Sequence, residues 1–256
     1  DEVIDSVTGN KPAKFLKDFA FRNLAITKQN VYLFKLGKTF NRSTMPPGFP
    51  LTIEKEDLVG KEYSFFCLPQ TIFSVYLSAP TDKEDLKFLQ PVLIRIENKS
   101  LIIRYTKLEK NLQSYYPANR EVRKAGETNS EEDTLRQILA YFETNYNAQI
   151  NDINKGVKYL WAQDWIDCHK IQYLSPFSSD MTTMNGALTF KQKYPTKYQN
   201  IILAPIGKTL WKYLLADDYF CDGFTTDPTA GQISFTKFPK HSNQVENVIT
   251  TILANN

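Results

Sequence analysis

Short apolar runs broken by turn residues dominate the first 110 positions, and they read mainly as β-strands from Phe15 to about Asn111. Phe19–Ile26 is apolar with polar breaks. Val31–Leu36 follows it after Lys28-Gln29-Asn30, which reads as a hairpin turn. Met45-Pro46-Pro47-Gly48-Phe49-Pro50 is a loop, because adjacent prolines fix φ and remove backbone donors. Tyr63–Leu68 and Thr71–Leu77 are aromatic and β-branched, and Pro69-Gln70 is expected to divide them. The sharpest hairpin is Val92–Ile96, the turn Glu97-Asn98-Lys99-Ser100, and Leu101–Tyr105. About that turn Arg95 and Arg104 fall near opposite positions, so both can sit on one face.

The pattern then changes. Residues 114–129 carry one aliphatic β-branched residue, Val122, and read as a linker or a functional loop. Leu135, Ile138, Leu139, Phe142, Tyr146, Ile150 and Ile153 follow helical spacing. With Ser130 and Asp133 as a capping box and Gly156 as C-cap, they predict one long amphipathic helix over about 131–154. Val157–Cys168 is compatible with helix or strand. Ser175–Gly186 reads as a loop, and Leu188–Phe190, Ile201–Ala204 and Leu210–Leu215 read as strands or short elements. Asp227–Gly231 reads as a turn and Gln232–Phe238 as a strand. A last helix starts at Ser242 or Asn243, with Val245, Val248, Ile249 and Ile252 buried and Asn243 and Glu246 as its capping pair.

The expected fold is α+β: a β-rich N-terminal part, one long central helix, and a mixed C-terminal part closed by a helix. The expected division is a mobile polar segment 1–14, a β-rich unit 15–113, the 114–129 connection and an α+β unit 130–256. One continuous domain fits the same pattern equally well.

Composition adds limits. The 256 residues are 42% hydrophobic and 23% charged, which suits a packed globular chain and excludes a disordered polar one. Net charge is +3, too small to announce a nucleic-acid binder. Residues 1–128 hold 20 Lys and Arg against 15 Asp and Glu, so a polyanion surface is expected there rather than in the acidic second half. Cys67, Cys168 and Cys221 are sparse and widely spaced, which favours an intracellular, reducing compartment over secretion. Cys67, in its apolar run, reads as a buried, inert thiol. Two N-x-S triplets (Asn41-Arg42-Ser43 and Asn98-Lys99-Ser100) and the Asp1-Glu2 start leave a removed signal peptide open. No apolar stretch reaches the ~18–20 residues that a membrane helix needs.

Common catalytic patterns fit poorly. Gly37-Lys38-Thr39 and Gly207-Lys208-Thr209 lack the earlier glycine of a phosphate loop, having Tyr32 and Ile202 in its place. His169 and His241 are the two histidines. A Cys168–His169 dyad is disfavoured, because adjacent side chains on a strand point apart. Glu97 and Lys99 belong to a hairpin turn, whereas a metal-dependent nuclease needs its Glu and Lys within the strand. Asp217, Asp218, Asp222 and Asp227 are close enough in sequence to suggest Mg²⁺ or Ca²⁺, yet their spacing fits no EF-hand loop, and a solvated, turn-rich stretch is the favoured reading. No catalytic residue, metal or cofactor is therefore assigned.

The leading expectation is a non-catalytic binding or scaffold protein, a soluble subunit of a larger assembly with a protein partner. Its expected contact residues are Tyr115, Tyr116, Arg120, Arg123 and Lys124, which combine ring faces with cations on one polar segment. The same residues support a second reading, a component that binds single-stranded or structured RNA or DNA. A metal-dependent hydrolase using Glu97 and Lys99, or the Asp217–Asp227 cluster, is a third.

Overall fold

The hairpin at 92–105 lies inside one continuous antiparallel sheet. The computed structural model describes residues 26–41, 52–57, 62–76, 83–97, 99–106, 113, 121–124, 131–174, 179–183 and 188–256. Segment 1–14, the apolar run at Phe19 and the Met45–Pro50 loop lie outside them, as does Ser130.

The first strands are β1 (Gln29–Lys35), β2 (Thr52–Asp57), β3 (Glu62–Tyr76), β4 (Lys83–Glu97), β5 (Ser100–Thr106) and β6 (Glu121–Lys124). Helix α1 (Glu131–Tyr146), strand β7 (Gln149–Ile150) and helix α2 (Asn154–Ala162) follow. Then come β8 (Ile166–Leu174), β9 (Ser179–Thr183), the short helix α3 (Phe190–Lys193) and α4 (Pro195–Leu203). The chain closes with β10 (Thr209–Tyr213), β11 (Gly223–Asp227), a 3-10 turn at Pro228–Ala230, β12 (Gln232–Phe235) and α5 (Asn243–Ala254). The strand order is β2-β3-β4-β5-β1-β12-β11-β10-β8-β9, with β6 on β3 and β7 on β1. The chain is thus α+β. Strand β1 joins the N-terminal strands to the C-terminal ones, because it pairs with β5 on one side and β12 on the other.

Alternation along β1 and β5 explains the nearly unbroken apolar runs there. Phe34, Leu101, Ile103 and Tyr105 pack with Ile138, Phe142 and Tyr146 of α1. Val31, Leu33 and Ile102 pack with α2 and α5 through Val157, Leu160, Trp161, Val245, Val248, Ile249 and Ile252. A strand buried on both faces has no position left for a polar residue unless something answers it. The aromatic excess is mostly core: Trp161 meets Phe190, Tyr198 and Trp211 edge-on at 5.6, 4.7 and 5.4 Å.

Four expectations need correction. First, the single long helix ends at Tyr146. Asn147 takes the left-handed conformation (φ 56°), and Gln149 and Ile150 then pair with Lys35 and Phe34 before α2 begins. Gly156 is therefore no C-cap; it lies inside α2, where a Cβ would collide with the Ile252 carbonyl oxygen of α5. Second, Pro69-Gln70 does not divide a strand. β3 runs through it, and the irregularity sits instead between Thr71 and Phe73. Third, Glu121–Lys124 of the expected loop is a strand on β3, and Ser179–Thr183 is a strand on β8, because in each a neighbouring edge was ready to pair. Fourth, Ile201–Leu203 ends a helix rather than forming a strand, started by Pro195 at its first turn.

Candidate functional site

The C-terminal strands differ from the central ones in having one covered face. In β10 and β11 the buried positions are Thr209, Trp211 and Tyr213, then Phe224 and Thr226. Leu210, Lys212, Gly223 and Thr225 alternate with them and stay partly or fully exposed. Two loops rise beside this face, residues 214–222 and 236–242. Together they bound a cleft of about 560 Å³, lined by Leu210, Lys212, Leu215 and Gly223 and walled by Asp218 and Lys240. Gly223 stands opposite Lys212 in the register, and a Cβ there would lie 2.8 Å from the Trp211 carbonyl oxygen. That close approach requires glycine and leaves bare backbone on the cleft floor.

The walls are held by an unbroken set of contacts. Tyr213 donates its hydroxyl to Asp217 Oδ1 at 2.6 Å, and the Tyr219 amide donates to the same oxygen at 3.1 Å. These bonds hold the Asp217 carboxyl below the usual range, while burial, then the hydrogen bond to Asp217 and its charge, raise the Tyr213 phenol above its own. Phe220 anchors the loop below, 5.0 Å from Tyr213 and 5.8 Å from Trp165. Lys240 Nζ sits 3.2 Å from both Asp218 and Asp222, and their hydrogen bonds push its ammonium pKa upward. The buried Gln244 ties the two loops: its oxygen accepts from the Lys240 amide at 2.8 Å, and its nitrogen donates to the Asp218 carbonyl at 3.0 Å. Asn247 adds a bond to the Tyr219 carbonyl at 2.8 Å.

This arrangement gives the acidic cluster a partner from outside its own stretch. Lys240, eighteen residues beyond Asp222 and not part of the local motif, places an ammonium where a cation would bridge the carboxylates. Asp227 lies at the far end of β11, near the Thr229 hydroxyl. Among the described residues no group of three or more His, Cys, Asp or Glu is placed to hold a metal ion. Glu97 and Lys99 do form a turn, with Lys99 at φ 69° and Glu97 paired to Ser100.

The cysteine–histidine pair separates as a strand requires. Cys168 is buried, and burial, reinforced by Asp167, pushes its thiol far above the ordinary value; His169 is exposed at the cleft. Burial also pushes the Cys221 thiol up to about 12. The Cys67 side chain lies outside the described residues.

A second polar cluster is buried between the β4–β5 pair and α5. Arg95 and Arg104 share one face of the β4–β5 pair, as the register Leu93↔Arg104 and Arg95↔Ile102 demands. Both reach Glu246 of α5: Arg95 Nη1 binds Oε2 at 2.7 Å, and Arg104 Nη1 binds Oε1. Arg104 Nε also donates to Gln29 Oε1 at 2.8 Å. Glu246 is therefore not a capping partner of Asn243. The α5 entry is instead served by Gln244, and Ser242 makes no side-chain cap.

Of the expected contact residues, Tyr115, Tyr116 and Arg120 lie outside the described residues. Arg123 stands opposite Ser74 and Lys124 opposite Phe73 in the β6–β3 register. Sequence reasoning did not single out Lys212, Lys237, Lys240 or Leu215. The alternation of Thr209–Tyr213 does mark Lys212 as outward, but the pairing of Lys240 with Asp218 and Asp222 leaves no local signal.

No protein-family model matches the chain, and no curated protein sequence is significantly similar to it. Among the described residues no helix is long and apolar enough to cross a membrane.

Proposed function

We propose that this chain is a non-catalytic binding subunit of a larger assembly and that the cleft over β8, β10 and β11 is its contact site. The observation that carries this reading is the bracing of the cleft's loops. Both loops are clipped to α5 and to each other through Gln244, Asn247 and Lys240, so a concave surface is held ready at little ordering cost. Leu215, 43% exposed, gives this wall an apolar anchor of the kind that binding surfaces use. The Asp217, Asp218 and Asp222 carboxylates are engaged in holding the wall, which suits scaffolding better than proton transfer.

The test is a photo-cross-linker placed at Leu215 in the tagged chain within its native extract, followed by sizing of the product. The expected result is one defined partner joined to the chain in a larger complex. Recovery of only the free 29.5 kDa chain overturns the reading.

A further inference from the structure

Helix α2 starts without a local cap. Its N-cap residue, Ile153, has no side-chain oxygen for the first amides, and no acid follows in the first turn. One of those amides is answered from 100 positions along the chain: the Gly156 N–H donates to Asn256 Oδ1 at 3.3 Å. The same side chain turns its nitrogen the other way. Asn256 Nδ2 donates to Asn151 Oδ1 at 3.1 Å and to the Asp152 carbonyl at 2.8 Å. Asn256 lies two residues past α5, so these bonds join the end of α5 to the segment that leads into α2. The two helices meet backbone to backbone beside them, since a Cβ on Gly156 would strike the Ile252 carbonyl. Asn151 is buried, and its amide donates to the Leu33 carbonyl of β1 at 2.9 Å. A buried oxygen that loses its donor is costly, because water cannot replace the lost bond. The Asn255 side chain, by contrast, donates to the Thr251 carbonyl of its own helix.

We propose that Asn256 is a clasp across the seam between α2 and α5, and that its release opens the first turn of α2 and the last turn of α5 as one local unit. Asparagine suits the place because one short side chain supplies both an acceptor for Gly156 and two donor hydrogens for the oxygens of Asn151 and Asp152. The opening stays local because the rest of α5 is held independently. Glu246 is paired with Arg95 and Arg104, Val245, Val248 and Ile249 are in the core, and Gln244 and Asn247 bond the cleft loop. Segments open separately where few buried contacts hold them, and the seam beyond Ile252 depends on the bonds of one side chain. A simple capping role predicts something different. A carboxylate is favoured at a helix N-terminus, so a cap alone would accept aspartate at this position. A clasp would not, because aspartate has no donors and would set its charge against two oxygens.

The experiment follows amide hydrogen exchange by NMR in the full chain and in its Asn256→Ala, Asn256→Asp and Asn255→Ala variants, well below their melting temperatures. In Asn256→Ala the amides of Gly156 and of the last turn of α5 are expected to exchange about tenfold faster or more. The amides of Val248 and Ile249 and those of the 214–222 loop keep the parent rates, and the melting temperature falls by about 2–4 °C. Asn256→Asp is expected to open the same seam, whereas Asn255→Ala matches the parent. An unchanged Gly156 rate in Asn256→Ala overturns the clasp, as does an acceleration spread evenly over α5 and the sheet. So does an aspartate variant as well protected as the parent, or an Asn255→Ala variant as disturbed as Asn256→Ala. The cleft reading is tested separately, because Gln244 and Asn247 hold its loops from the other end of α5.

Discussion

Glu246 and Arg104 stand 142 positions apart in sequence and form a buried ion pair. Arg95 completes it from the neighbouring strand, so a single carboxylate of α5 holds both arms of the β4–β5 hairpin. The same helix carries Gln244 and Asn247, which hold the cleft loop. One turn of α5 thus couples the N-terminal strands to the proposed contact surface.

Glu246→Gln removes the anion and leaves two buried guanidinium groups facing a neutral amide. Breaking a buried pair from one side costs about 3–5 kcal/mol, because the uncompensated charge cannot regain its hydration. Urea unfolding of the variant should show that loss. Replacing all three together (R95M/R104M/E246L) should restore most of the stability, since apolar groups of similar volume carry no desolvation penalty. A single variant as stable as the parent would show that the triad bears no load.

Gly156→Ala tests the approach of α2 to α5. In an exposed helix the change would gain about 1 kcal/mol from propensity. Here the new methyl meets the backbone carbonyl of Ile252, which cannot rotate away as a flexible side chain would. Overpacking of this kind costs about 1–3 kcal/mol, and collision with backbone places it toward the upper end. The expected result is a lower denaturation midpoint; a higher one would mean that the two helices are further apart.

Much of the sheet was legible because its signals are local. Val92–Ile96 and Leu101–Tyr105 flank a turn, so their pairing follows from chain proximity, and Arg95 and Arg104 could be placed on one face from register alone. The buried stripe of α5 was equally readable from its 3.6-residue period. The partner of that arginine pair was not, because Glu246 sits where a capping residue would and only tertiary placement separates the two roles. The helix break at Asn147 was hidden for a similar reason: Ile150 and Ile153 keep the helical period although the backbone has turned to pair with β1. Nor was the cleft legible. It gathers residues from β8, β10 and two loops, and its key cation lies outside the acidic motif that it satisfies.

Tyr213→Phe separates the phenol from Asp217. Asp217 has a depressed pKa in the folded chain, so its contribution is present above the ordinary carboxylate value of 3.8 and is lost as pH falls through the lower folded value. Tyr213 has the opposite sign. Its raised pKa contributes fully below the ordinary value of 10.0, and that contribution is lost as pH rises toward the folded one. In the variant, the Asp217 carboxyl resonance followed by NMR should titrate closer to 3.8, and stability should become less sensitive to pH at both extremes. An Asp217 titration unmoved by the loss of the hydroxyl would place the cause of the depression elsewhere.

The buried thiols make the last prediction. With a pKa near 12, Cys221 is ionised at pH 8 to roughly one part in ten thousand, and Cys168 is raised further still. Both are enclosed by core residues, so a disulfide reagent meets neither thiolate nor access. In a Cys67→Ser background, native protein at pH 8 should stay unlabelled over minutes and release two equivalents of chromophore once unfolded in urea. The sign of the shift adds a second readout. A thiol raised on folding stabilises fully below its ordinary value of 9.0 and loses that contribution as pH rises through the folded one. Labelling should therefore accelerate only at strongly alkaline pH, in step with loss of the folded signal. Rapid labelling of native protein at pH 8 would show that the core between β8 and the 214–222 loop opens readily, and the rigid cleft wall built on that loop would have to be abandoned with it.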